Sequence, residues 1–175
     1  PRPFDPADRD RNLLAYSLFG ANPYYHRCAV ASAHMAPAIH PEFVARFHVA
    51  PDLPEGVVAA LLEAGAQVRR MPPPRSAAEG LFWRFRAFDD PEARVVLCRD
   101  VDSPLTARER VAVEDWLAGD RPFHALRDHV AHAEPLLAGL WGGFTGLLPP
   151  LGPLIETHLA RIGGRHADQS FLRGV

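Results

Sequence analysis

The stretch that most constrains this chain is Arg94-Val95-Val96-Leu97-Cys98-Arg99-Asp100-Val101-Asp102-Ser103. Its apolar run is short and β-branched, which predicts a strand buried on both faces, as in a parallel sheet covered by helices. Two carboxylates one residue apart follow it. In an extended segment such a pair shares one face. Hard oxygen donors so placed suit Mg²⁺ or Mn²⁺, and a cation held there can carry a diphosphate.

The rest of the chain repeats the alternation of short apolar runs and helical segments. Strands are predicted at 12–19, 43–49, 67–71, 94–98 and 123–126. Helices are predicted at 23–35, with Pro23 in the first turn, at 54–64, stopped by Gly65, at 79–88 and at 154–162, ended by Gly163 and Gly164. The capping box Thr106-x-x-Glu109 opens a further helix through Trp116, which Gly119 ends. Residues 138–148 are Gly-rich and apolar, and Pro72-Pro73-Pro74 is a stiff loop rather than a domain divide. The order predicts one α/β domain over 11–175, Rossmann-like, with a mainly parallel sheet and helices on both faces. A polar, Pro-rich segment over 1–10 reads as an extended lead-in. Ligands of such sheets bind beyond the carboxyl ends of the strands, where Gly20-Ala21-Asn22 and Asp100-Val101-Asp102 fall.

Composition removes several function classes. The net charge of −2 gives no general attraction to nucleic acid or an anionic membrane, and no apolar run nears the roughly 20 residues of a membrane span. The chain contains no lysine, so a Walker-type phosphate loop and Schiff-base chemistry are excluded. An anionic substrate must be held by Arg, His, backbone amides or a metal. Cys28 and Cys98 make no disulfide framework and read as small buried hydrophobes of a reducing, cytoplasmic protein. No signal peptide is visible, and a chain starting at Pro1 reads as trimmed, cleaved or a fragment.

Haloacid-dehalogenase-type phosphatases also carry Asp-x-Asp after a strand, but Pro104 departs from their pattern and their later Lys has no counterpart. The segments AYSLFGANPYY, LFWRF, RVVLCRDVDS, FHALRDHVAH, LAGLWGG and ADQSFL, in that order, resemble bacterial glycosyltransferases of the GT-A fold. They are most similar to capsule- and antigen-type sugar transferases, with an Asp-Gln segment like that of family-eight retaining enzymes.

The resemblance implies a role for each matching residue. Asp100 and Asp102 would hold Mn²⁺ or Mg²⁺ against the diphosphate of a nucleotide-sugar, most simply a UDP-sugar, and backbone at Val101 would approach the ribose. Leu18, Phe19, Gly20, Ala21 and Asn22 would form the first nucleotide-binding loop. Tyr25 would border the base and Arg84 would lie against the donor. Gly142 and Gly143 would line the sugar pocket, and Asp168 and Gln169 would contact the transferred sugar. A metal and an Arg at the leaving diphosphate stabilise the charge that grows as the glycosidic bond breaks. Trp83 and Phe85 read as core.

His124, His129 and His132 cluster without a zinc spacing, and His129 or His132 would serve a sugar or acceptor site. Asp128, Glu134 and Asp168 are candidate bases for the acceptor hydroxyl under inversion, whereas Gln169 fits retention, the outcome the resemblance favours. Relatives often supply a third metal ligand after the Asp-Gln segment, where this chain has six residues; His158 or His166 could replace it. Weaker metal affinity, a partner subunit or second copy, and a chain that continues further all remain open. The expected activity is therefore sugar transfer to a hydroxyl acceptor. The alternatives are a non-catalytic or partner-dependent nucleotide-sugar-binding module and a nucleotidyltransferase, for which Gly20-Ala21-Asn22 is a thin nucleotide loop.

Overall fold

The computed structural model describes residues 4–127, 129–130, 132–162, 164 and 166–174, without the side chain of Ala77. Among them six strands form one sheet: β1 (Asn12–Leu18), β2 (Val44–Val49), β3 (Gln67–Arg70), β4 (Val95–Arg99), β5 (Phe123–Ala125) and β6 (Leu140–Phe144). Their order is β3-β2-β1-β4-β6-β5. The pairs among β1 to β4 are parallel, while β6 runs antiparallel to both β4 and β5.

Both faces of the sheet are covered, which is why β1 and β4 carry apolar residues at consecutive positions, whereas β2 buries Arg46 and His48 between Ala45, Phe47 and Val49. Leu14, Tyr16 and Leu18 pack on one face with Ala45, Phe47 and Val49, under α1 (Pro23–Ile39), α2 (Glu55–Glu63) and α4 (Ala107–Ala118). Leu13, Ala15, Val96 and Cys98 pack on the other with α3 (Ala77–Leu81), α5 (Leu151–Leu159) and α6 (Ala167–Leu172). The register Leu13↔Val44 and Leu13↔Val96 keeps those faces aligned across three strands.

Helix starts follow local chemistry. Asn22 Oδ1 accepts the Tyr24 N–H at 3.0 Å while Pro23 fills the first turn of α1. Thr106 Oγ1 accepts the Glu109 N–H at 3.2 Å, half of the expected capping box. The Glu109 side chain does not close that box; it turns inward to Arg99.

The single helix expected over 79–88 is two pieces. A five-residue α3 capped by Ser76 gives way to a 3₁₀ segment, Trp83–Asp89. Phe82, Phe85 and Phe88 are spaced by three, and 3₁₀ geometry eclipses such residues, so all three rings enter one core. β6 and α6 lie outside the expected elements. In β6 the pair Gly142-Gly143 breaks the strand signal, yet the pair is required there. A Cβ on Gly142 would come 2.5 Å from the Val96 carbonyl, and one on Gly143 would come 2.4 Å from the Phe123 ring.

Within the lead-in Phe4 stacks on Phe43, and Asn12 Nδ2 donates to the Asp5 carbonyl at 2.8 Å. Cys28 and Cys98 are both free thiols. Among the described residues no helix is long and apolar enough to cross a membrane.

Candidate functional site

The chain builds β1, β2 and β3 outward on one side, then returns to place β4 on the other side of β1. Loops after β1 and β4 therefore diverge and leave a crevice at the carboxyl ends of the strands. A cavity of about 980 Å³ lies there, walled by Ser17, Leu18 and Phe19 at the end of β1 and by Arg99 to Pro104 from the end of β4 onward. The segments before β6 and at the start of α6 close it.

Arg84 is its central cation. The guanidinium is almost wholly buried, with Nη1 2.9 Å from Asp100 Oδ1 and Nη2 2.7 Å from Asp168 Oδ2. Its Nε donates to the Ala138 carbonyl at 3.2 Å, and its backbone N–H donates to Ser17 Oγ at 2.9 Å. Desolvation works against the Arg84 charge, but Asp100 and Asp168 outweigh it and hold the guanidinium protonated. Burial is also the largest effect on Asp168 and lifts its carboxyl above the ordinary range despite Arg84. The second Asp168 oxygen accepts the Gln169 N–H at 2.9 Å, so both oxygens are engaged. Asp168 thus positions Arg84 directly.

Asp100 and Asp102 both face the cavity. They do not sit on a strand face as expected, because β4 ends at Arg99 and a turn closes with Ser103 N–H donating to the Asp100 carbonyl at 3.2 Å. Asp100 lies against Gly139 so closely that a Cβ there would fall 2.0 Å from Oδ2. A second buried pair backs the turn. Arg99 Nε donates to Glu109 Oε1 at 2.6 Å, while Nη1 donates to the Cys98 and Trp141 carbonyls at 2.7 and 3.1 Å. Burial would raise the Glu109 carboxyl, but His40 and Arg99 prevail and hold it at about 2. The charged groups of the cavity wall are then the carboxylates Asp100, Asp102, Glu109 and Asp168 against the guanidiniums Arg84 and Arg99.

The other expected site residues divide. Leu18, Phe19, Tyr25, Val101, His132 and Gln169 reach the cavity wall. Gly20, Ala21 and Asn22 do not: Gly20 takes φ +80° to turn the chain, and Asn22 is spent on capping α1. Gly142 and Gly143 are corrected as well, since both are buried in β6 against β4 and Phe123, away from the cavity.

Gln169 does not offer a free amide to a sugar. Its Oε1 accepts the Ala138 N–H at 3.0 Å and its Nε2 donates to the Leu136 carbonyl. His129 is outside the wall, with its ring 5.7 Å from that of His132. Glu134 pairs with Arg173, and His158 Nε2 lies 3.0 Å from Ser170 Oγ and 3.1 Å from the Ala167 carbonyl. His124 packs against Trp116, apart from its sequence neighbours. Asp128 and Gly163 lie outside the described residues.

Gly139, Ser17, Ala138 and the Arg99–Glu109 pair are site components the sequence reading missed. Only the Gly within LAGLWGG carried a signal, and it pointed three residues too far along.

Hard carboxylate oxygens such as those of Asp100 and Asp102 are the ligand type that Mg²⁺ and Mn²⁺ take. No group of three or more His, Cys, Asp or Glu residues converges among the described residues. A cation held by those two acids would therefore complete its shell with water or substrate oxygens. The two acids do not form a closed protein cage.

Fold and crevice together define a Rossmann-like α/β protein with its cavity at the switch point of the strand order. No family model matches the chain, and no curated protein matches it in sequence. Among solved structures it is similar to the 4-diphosphocytidyl-2C-methyl-D-erythritol synthase of Anaerococcus prevotii DSM 20548. The TM-score is 0.55 and the identity 12%, over 94% of this chain and 84% of that one. At that identity the likeness establishes the fold.

Proposed function

We propose that the protein is a metal-dependent transferase that takes a nucleoside-diphosphate-linked donor in the switch-point cavity and passes its sugar to a hydroxyl acceptor. The observation that carries this reading is the pairing of two acids in one turn, Asp100 and Asp102, with a buried Arg84 braced by Asp168. Asp100 and Asp102 would hold Mn²⁺ or Mg²⁺, which when bound supplies charge neutralisation of the leaving diphosphate. Arg84 presents a fixed cation in a desolvated wall, where charge acts more strongly than in water. Tyr25 and Phe19 offer ring surface for a base. The sequence resemblance favours a UDP-sugar and retention of configuration.

A second reading, nucleotidyl transfer, is favoured by the fold comparison. The similar structure is named as a synthase of a diphosphocytidyl compound, so its product joins a nucleoside to a polyol through a diphosphate. Against that reading, the loop after β1 carries no basic side chain and the whole chain no lysine to hold a triphosphate.

Calorimetric titration with UDP and Mn²⁺ tests the shared part: binding must appear and must be lost in Asp102→Ala. Turnover separates the readings. Sugar release from a panel of UDP-sugars supports sugar transfer, and pyrophosphate release from nucleoside triphosphates supports nucleotidyl transfer.

A further inference from the structure

Arg84 and a divalent cation would need the same carboxylate. Nη1 of Arg84 already holds Asp100 Oδ1 at 2.9 Å, and the missing side chain of Gly139 leaves the space that the other oxygen occupies. Asp168 takes the opposite edge of the guanidinium at 2.7 Å, so the two acids share one cation. The Ala138 carbonyl and Ser17 Oγ fix Arg84 in place, which leaves the Asp100 side chain, nearly half exposed, as the freer partner.

We infer that Arg84 competes with the metal for Asp100 and that Asp168 sets the strength of that competition by drawing part of the Arg84 charge away. This rests on the reading of Asp100 and Asp102 as metal ligands. Cation binding then turns Asp100 away from Arg84 and leaves Nη1 facing the cavity, available to an anionic group arriving with the metal. No bond is made or broken; one ion pair exchanges for another. Arg84 is a positioning residue here, and the metal alone reports on it.

The test is Mn²⁺ binding without nucleotide, read from the free-ion resonance in electron paramagnetic titrations. Arg84→Gln is expected to tighten Mn²⁺ binding about tenfold, a coupling of ordinary size between linked sites. Asp168→Asn is expected to weaken it about fivefold in the parent protein. In the Arg84→Gln background the same change has little effect, because Asp168 then has no guanidinium to draw on. Removing a buried charge can prevent folding. The Arg84→Gln/Asp168→Asn double variant, which removes both members of the pair, is therefore expected to fold and to bind Mn²⁺ more tightly than the parent.

If Asp102→Asn leaves parental Mn²⁺ binding unchanged, or the parent binds no Mn²⁺ either alone or with UDP, the metal-site reading is overturned. If binding needs Asp102 but neither Arg84→Gln nor the double variant tightens it, the competition is overturned and the metal site stands. An equal loss from Asp168→Asn in both backgrounds also overturns the competition, since it marks long-range charge alone.

Discussion

Gly139 and Asp100 touch so closely that any side chain at position 139 would occupy the place of the Asp100 carboxylate. Gly139→Ala should therefore displace Asp100 while leaving the core intact. The expected loss is about tenfold or more in Mn²⁺-dependent UDP affinity, the scale on which groups behind a metal ligand act. Calorimetry beside a thermal melt checks it. Unchanged affinity in a folded variant would show that Asp100 need not sit where it does.

Gly142 behaves differently because it is a packing position. Its missing Cβ makes room for the Val96 carbonyl and Leu97 across the β4–β6 pairing. Gly142→Ala is expected to lower stability by about 1–3 kcal/mol, the range for overpacking a filled core. Urea denaturation should show the loss, and nucleotide affinity of the folded fraction should stay at the parental value.

Gln169 ties the loop before β6 onto α6 through both ends of its amide. Gln169→Ala leaves a donor at Ala138 and an acceptor at Leu136 without that partner, at a cost of about 1–3 kcal/mol for each group left buried. A fall in the denaturation midpoint is expected. A variant with parental stability would instead free Gln169 for the sugar contact that the sequence resemblance implies.

Stability should decline on mild acidification. Burial lowers His48 from 6.5 to about 4, against the pull of the Tyr16 carbonyl, and burial likewise lowers His124 from 6.5 to about 4. Between those values the unfolded chain binds protons that the native one refuses. Their contribution is therefore complete above pH 6.5 and drains away as pH falls toward 4, by up to about 3 kcal/mol for each imidazole. Glu109 acts lower down: its depressed value of about 2 gives stability present above 4.5 and lost as pH falls through 2. Urea midpoints from pH 7.5 to 4.5 check the first step, and His48→Gln should flatten it.

The parallel half of the fold was legible because β1 and β4 announce themselves as apolar runs and β2 as apolar Ala45, Phe47 and Val49 alternating with polar Arg46 and His48. Pro23 and Thr106 marked the starts of α1 and α4 because a helix start is decided by adjacent residues, though the Asn22 cap itself went unread. β6 was illegible for the opposite reason: its two glycines are chosen by the atoms of neighbouring strands, which no local pattern records. The same division runs through the site. Asp100, Asp102, Arg84 and Asp168 were all named from the sequence, yet their joint geometry depends on contacts across 84 residues of chain. Glu109 shows how a local rule can be overridden, since its carboxylate leaves the capping box for Arg99.

The reversal of direction at β6 has a consequence for how this molecule comes into being. The crevice wall is drawn from both sides of that reversal: Gly139 meets Asp100 only where β6 aligns on β4, and Asp168 meets Arg84 only where α6 seats. The β1–β4 pairing closes as long a stretch of chain as the Arg84–Asp168 contact, so loop entropy weighs on both alike. A chain folded only through β4 would carry its acids without the architecture that gives them a purpose.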